Sequence, residues 1–210
     1  MNPKATAKII LGELPFTAEM YWSFRQAGKP LNKSFTLRAL QEGLPEWRAQ
    51  AEAAAQKVSP GKEVLIFSTL HYWISHAALV GLALAGLGHT VNLGYLPFGK
   101  WQRSINRFDL RRQNAYAGSV LRQAAPLVKA VSWLDSSVPA DGLPAEVEQA
   151  VQEISLRDTQ YTLQVEEVSP ESELFRLRLE RNRAAALAAL AWMRSRRPDV
   201  VILPNGSILE

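Results

Sequence analysis

The rhythm of apolar and polar positions is clearest between Lys62 and Pro97. Val64, Leu65, Ile66 and Phe67 form an apolar run with no alternation, as in a strand buried on both faces. Thr69 to Trp73 breaks the run with polar and aromatic residues. Ile74 to Leu87 is then apolar nearly all round, which predicts a core helix with Gly88 as its C-terminal cap. Thr90 to Leu96 reads as a second strand, closed by Pro97. Strand, helix and strand in such close succession predict a right-handed βαβ unit in a parallel sheet.

Before this unit the pattern is helical. Thr17 to Ala27 reads as a helix with Thr17 as N-cap and Gly28 as its stop. Ser34 to Gln41 is a second, ending at Gly43, and Pro45 to Val58 a third with Pro45 in its first turn. Residues 1–58 are therefore expected to form a helical appendage, and 59–210 an α/β domain. After the unit come a basic, aromatic loop (Phe98 to Phe108), a helix (Asp109 to Arg122) and a third strand (Leu127 to Leu134). A turn-rich loop, Asp135 to Leu143, leads to a helix over Pro144 to Ile154. Arg157 to Glu167 also reads as helical, although its Thr, Tyr and Val leave the assignment open. Pro170 to Arg197 is a long helix whose closing arginines suit its C-terminal dipole. Asp199 to Leu203 is a fourth strand, and Pro204 to Ser207 a turn; the chain stops one turn into a new element, as a domain truncated at its C-terminus would. The alternation predicts an open, doubly wound parallel sheet of strand order 3-2-1-4.

Composition narrows the chemistry. An apolar fraction of 47% supports a real core, and a net charge of only +4 gives little reason to expect a nucleic-acid partner. The absence of cysteine removes disulfides, thiolate metal sites and thiol nucleophiles, and three histidines without HExxH spacing give no metal motif. The N-terminus is too polar for a signal peptide and no stretch is apolar enough to span a bilayer, so a cytoplasmic location is expected. Lys4, Lys8, Arg25, Lys29 and Lys33, with Phe16, Tyr21, Trp22 and Phe24 among them, fit either a membrane-surface patch or a solvated face over a packed one. The turn after the first strand reads STLHYWIS, without the glycines of a dinucleotide fingerprint, and no phosphate-binding P-loop motif occurs.

Two segments carry a family resemblance. Leu84 to Val91 reads LAGLGHTV, and Arg181 to Glu210 reads as an Ala-rich helix followed by Arg-Pro-Asp-Val-Val and Pro-Asn-Gly. Together they resemble the N-terminal lobe of bacterial polysaccharide-type GT-B glycosyltransferases, over the stretch from Lys62 to the C-terminus. The resemblance implies a Rossmann-like lobe that binds a glycan or lipid-linked acceptor across a cleft from a second lobe. That second lobe would hold the nucleotide-sugar donor, a co-substrate rather than a cofactor. It further implies a chain inactive alone. A peripheral contact with the inner face of the membrane is expected only on the membrane-surface reading of the N-terminal basic and aromatic residues, which lie outside the resemblance. The alternatives are a non-catalytic Rossmann-like binding or interaction domain, and a GT-B-like enzyme of another reaction such as a sugar-nucleotide epimerase.

In doubly wound sheets ligands sit beyond the carboxyl ends of the strands, where strand order reverses. His71, at the end of the first strand, suits a general base taking a proton from a sugar hydroxyl. Tyr72, Trp73 and Trp101 lie in such loops and can stack on sugar rings, although Trp73 also fits a packing role. His76 either faces the site or packs. Lys100 and Arg103, with Arg107, Arg111 and Arg112, form a basic cluster that fits an anionic acceptor or a plain solvated face. Asn205 and Gly206 either offer backbone N–H groups to a ligand or form a simple turn. His89, at the opposite end of the sheet, is expected to be structural.

Overall fold

A computed structural model describes residues 3–100, 102–134 and 141–203. Four strands, β1 (Glu63–Thr69), β2 (Thr90–Leu96), β3 (Val128–Ser132) and β4 (Val200–Ile202), form one parallel sheet of order β3-β2-β1-β4. This is the expected order and direction. β1 pairs with β2 from Glu63↔Thr90 to Thr69↔Leu96 and with β4 at Val64, Leu65 and Ile66. The apolar run of β1 has a direct cause. Val64 and Ile66 enter one core, beneath the helices that precede and follow β1, while Leu65 and Phe67 enter a second core on the other face.

The first core lies under α3 (Arg38–Ala55), α4 (His71–Gly86) and α5 (Arg107–Leu121). Leu40, Leu44 and Ala51 of α3 join Val64, Ile66 and Leu93 in a single cluster. The second lies under α7 (Glu173–Ser195), where Ala185 and Ala188 meet Leu65, Phe67 and Trp133. The rings of Phe67 and Trp133 stack there at 4.5 Å. α6 (Ala145–Leu163) packs on α7 through an ion pair between Asp158 and Arg178, 3% and 1% exposed.

Two short N-terminal helices, α1 (Pro3–Glu13) and α2 (Thr17–Phe24), lie across α5. Their closeness depends on Gly12, where a Cβ would stand 2.9 Å from the Phe108 nitrogen. The Arg111 guanidinium donates to the carbonyls of Gly12 and Leu14 and pairs with Glu19, while Arg112 binds Gln26 and Asp109. Arg111 and Arg112 are thus buried in tertiary ties, and they leave the basic cluster anticipated for an acceptor.

Several boundaries differ from the sequence pattern. One helix, α3, replaces the two expected on either side of Gly43 and Pro45. The Trp47 ring folds back over Gly43, where a Cβ would fall 2.2 Å from the indole, so the glycine provides room rather than a stop. Residues 34–37 are not helical: the Asn32 carboxamide accepts from the N–H groups of Ser34 and Phe35 and turns the chain there. Thr17 is the first helical residue and not the cap, which is Phe16 at φ 62°. α6 is continuous through Ser155 and Thr159, whose hydroxyls donate to carbonyls four residues back, and it ends at Leu163 rather than Glu167.

Candidate functional site at the carboxyl edge of the sheet

β1 gives way to α4 through Leu70, whose backbone sits at φ 55° and ψ 142°. This positive-φ, extended-ψ conformation is costly for any residue that carries a Cβ, about 1–3 kcal/mol. Burial of the Leu70 side chain and the bond from Ile74 N–H to the Leu70 carbonyl hold it in place. The sharp turn makes His71 the first residue of α4, where a loop residue was expected, and sets Tyr72 at the sheet's edge.

The His71 ring is half-buried, edge-on to Phe35 at 6.0 Å and to Tyr72 at 5.3 Å. Its Nδ1 is buried without a hydrogen-bond partner among the described residues. Burial pushes its pKa below the ordinary value of 6.5, so the imidazole is neutral at pH 7. Aromatic contacts continue the row: Tyr72 lies 5.3 Å from Trp73, and Trp73 lies 5.7 Å from His76. Tyr72 and His76 are exposed, and Trp73 is half-buried with its indole N–H enclosed and unpaired among the described residues.

Beyond β2, Phe98 to Lys100 and Arg103 to Asn106 border a polar cavity of about 280 Å³. Lys100 and Arg103 line it together with Asn32, Ser34, Asp109 and Gln113. Gln113 fixes the loop by donating to the Pro97 carbonyl at 2.5 Å. Burial would raise the Asp109 pKa, but hydrogen bonds from Lys8 and Asn106, and the charges of Lys8 and Arg112, outweigh it and hold the carboxyl below its ordinary value. From α7, Arg181 stacks on Phe98 at 4.4 Å and donates to the carbonyls of Lys100 and Arg103. Burial lowers the Arg181 pKa, more than the neighbouring Glu180 raises it.

The edge thus holds two adjoining features, an aromatic row on α4 and a cationic cavity beyond β2. Comparisons with protein-family models, curated proteins and solved structures found no match. What the architecture establishes is an α/β fold with a parallel four-stranded sheet, compatible with a Rossmann-like domain.

Lys100 and Arg103 share the cavity; His71, Tyr72, Trp73 and His76 share the aromatic row; Phe35 stands between, touching His71 on one side and bordering Gly99 on the other. Trp101, Asn205 and Gly206 lie outside the described residues. His89 sits at the amino end of the sheet, where its Nδ1 accepts from the Lys62 N–H at 2.9 Å. The sequence pattern missed Phe35, Asn32 and Ser34, which precede the sheet by some thirty residues and carry no motif. It also missed Arg178, Arg181 and Asn182, which face the ends of β1 and β2 from α7. Their spacing on one helical face of an Ala-rich segment was the available signal.

Proposed function

We propose that this chain is the acceptor-side lobe of a GT-B-type glycosyltransferase, moving a sugar from a nucleotide-sugar donor to a glycan or lipid-linked acceptor. The observation that carries this reading is His71, an imidazole kept neutral by burial at the carboxyl end of the central strand β1. In the proposed step an acceptor hydroxyl attacks the anomeric carbon of the donor sugar. The hydroxyl proton passes to the neutral imidazole, the new carbon–oxygen bond forms, the bond to the donor phosphate breaks, and the nucleoside diphosphate leaves. Tyr72 and Trp73 offer aromatic surface to a sugar ring, and Lys100 and Arg103 favour an acidic acceptor. Trp101, Asn205 and Gly206 keep the acceptor-contact role suggested by their places after the second and fourth strands. The donor lobe of such enzymes is a second Rossmann-like unit, so the chain alone is expected not to consume a nucleotide sugar.

Titration of the isotope-labelled chain with neutral and acidic oligosaccharides tests the reading by amide chemical shifts. Shifts are expected over 71–76 and 98–106, with none around His89. Shifts confined to the His89 end, or no saccharide binding at all, overturn the site. Turnover of labelled nucleotide sugars by the chain alone overturns the half-enzyme reading.

A further inference from the structure

The N-terminal helices show their apolar residues to solvent. Ala18 of α2 is buried and Glu19 and Tyr21 engage α5, which turns the opposite face outward. On that face Phe16, Met20 and Phe24 follow one another at intervals of four residues, 71%, 57% and 77% exposed. Ile9 and Ile10 on α1, and Leu14 after it, are exposed as well. Such a concentration of large apolar side chains on two adjacent short helices marks a contact surface rather than ordinary scatter.

The charge around this ridge is one-sided. Residues 1–33 contain five cations and two anions, a surplus of three of the chain's net four positive charges. Both anions are engaged by α5: Glu13 pairs with Arg107 and Glu19 with Arg111. Arg25, Lys29 and Lys33 form no ion pair among the described residues. Lys29 and Lys33 line an open hollow of about 920 Å³ beside the C-terminal end of α2, shared with the ion-paired Arg38 and Glu42.

We propose that the α1–α2 face docks on an anionic lipid surface, with Phe16, Met20 and Phe24 entering the acyl boundary and Arg25, Lys29 and Lys33 meeting headgroup phosphates. The combination of apolar ridge and unpaired cations is that of an interfacial helix lying in the plane of the membrane. No helix among the described residues is long and apolar enough to cross a bilayer, so the contact is peripheral. A second copy of the chain is a poorer occupant, because two such faces would oppose like charges. The proposal rests on α1 and α2 alone and stands apart from the sugar-transfer reading.

Co-sedimentation with phosphatidylcholine vesicles, with and without phosphatidylglycerol, tests it. Binding should require phosphatidylglycerol and weaken as salt rises. The triple variant Phe16→Ser, Met20→Ser, Phe24→Ser should bind on the order of tenfold more weakly. Lys29→Glu with Lys33→Glu, which disturbs no ion pair, should lose binding to a similar degree, whereas His71→Ala should bind as the parent does. Absence of binding to the anionic vesicles overturns the proposal. So does binding that neither variant weakens, or a dimer in sedimentation equilibrium that the serine variant dissolves.

Discussion

At the scale of single residues, His71 illustrates how burial sets chemistry. Its pKa is below the ordinary 6.5 because desolvation disfavours the imidazolium. The unfolded chain therefore takes up a proton near pH 6.5 while the folded chain does not, and stability falls as pH drops from that value toward the folded pKa. Above pH 6.5 both states are neutral and the contribution is constant. His71→Leu should flatten this slope, measured as the difference between denaturation midpoints at pH 7.5 and 5.5. If the variant keeps the parental slope, another group is responsible for it. The same burial that depresses the pKa keeps His71 in its base form at neutral pH, so the stability and the proposed chemistry share one cause.

At the scale of elements, strands were legible and helix interruptions were not. The centre of a strand buried on both faces favours apolar residues at successive positions, so Val64 to Phe67 could be read directly. Gly43 and Pro45 were ambiguous because the same residues either end a helix or are tolerated within one. The deciding factor is tertiary: Leu40, Leu44 and Ala51 reach the core only if α3 continues, and Trp47 needs the space over Gly43. Pro45 is exposed, and it costs α3 an N–H and sets its ring against the preceding turn. Pro45→Ala should therefore raise stability by about 1–3 kcal/mol in urea denaturation, since the variant regains the bond and loses the ring clash. A neutral or destabilising result would mean that the ring packs favourably. The candidate site was legible in the same uneven way. His71 and Lys100 follow strands and could be placed at the carboxyl edge, whereas Phe35 and Arg181 arrive there from distant elements by packing alone.

At the scale of the whole molecule, the two faces of the sheet are held differently. One is covered by aliphatic contact with α3, α4 and α5, the other by α7, which is braced from outside by α6 through Asp158 and Arg178. Arg178→Met should destabilise the chain by about 3–5 kcal/mol in denaturant melts, because it leaves the Asp158 carboxylate buried without its partner. Adding Asp158→Leu should restore much of that loss, since the charge is then gone. A single variant as stable as the parent would show that solvent reaches the carboxylate.

The sheet's order also imposes a schedule on synthesis. β1 pairs with β4 from Val64↔Val200 onward, and just before β4 the Asp199 carboxylate accepts from the Glu63 N–H across 136 positions of chain, while the pairing of β1 with β2 is local. A nascent polypeptide that has emerged as far as β3 already contains three of the four strands and every helix of the first face. It has nothing yet to cover Leu65, Phe67 and Trp133, whose partners in α7 are some fifty residues further on. At about 5–20 residues per second on the ribosome, that apolar face stands open for several seconds, long enough for a holding chaperone to bind it.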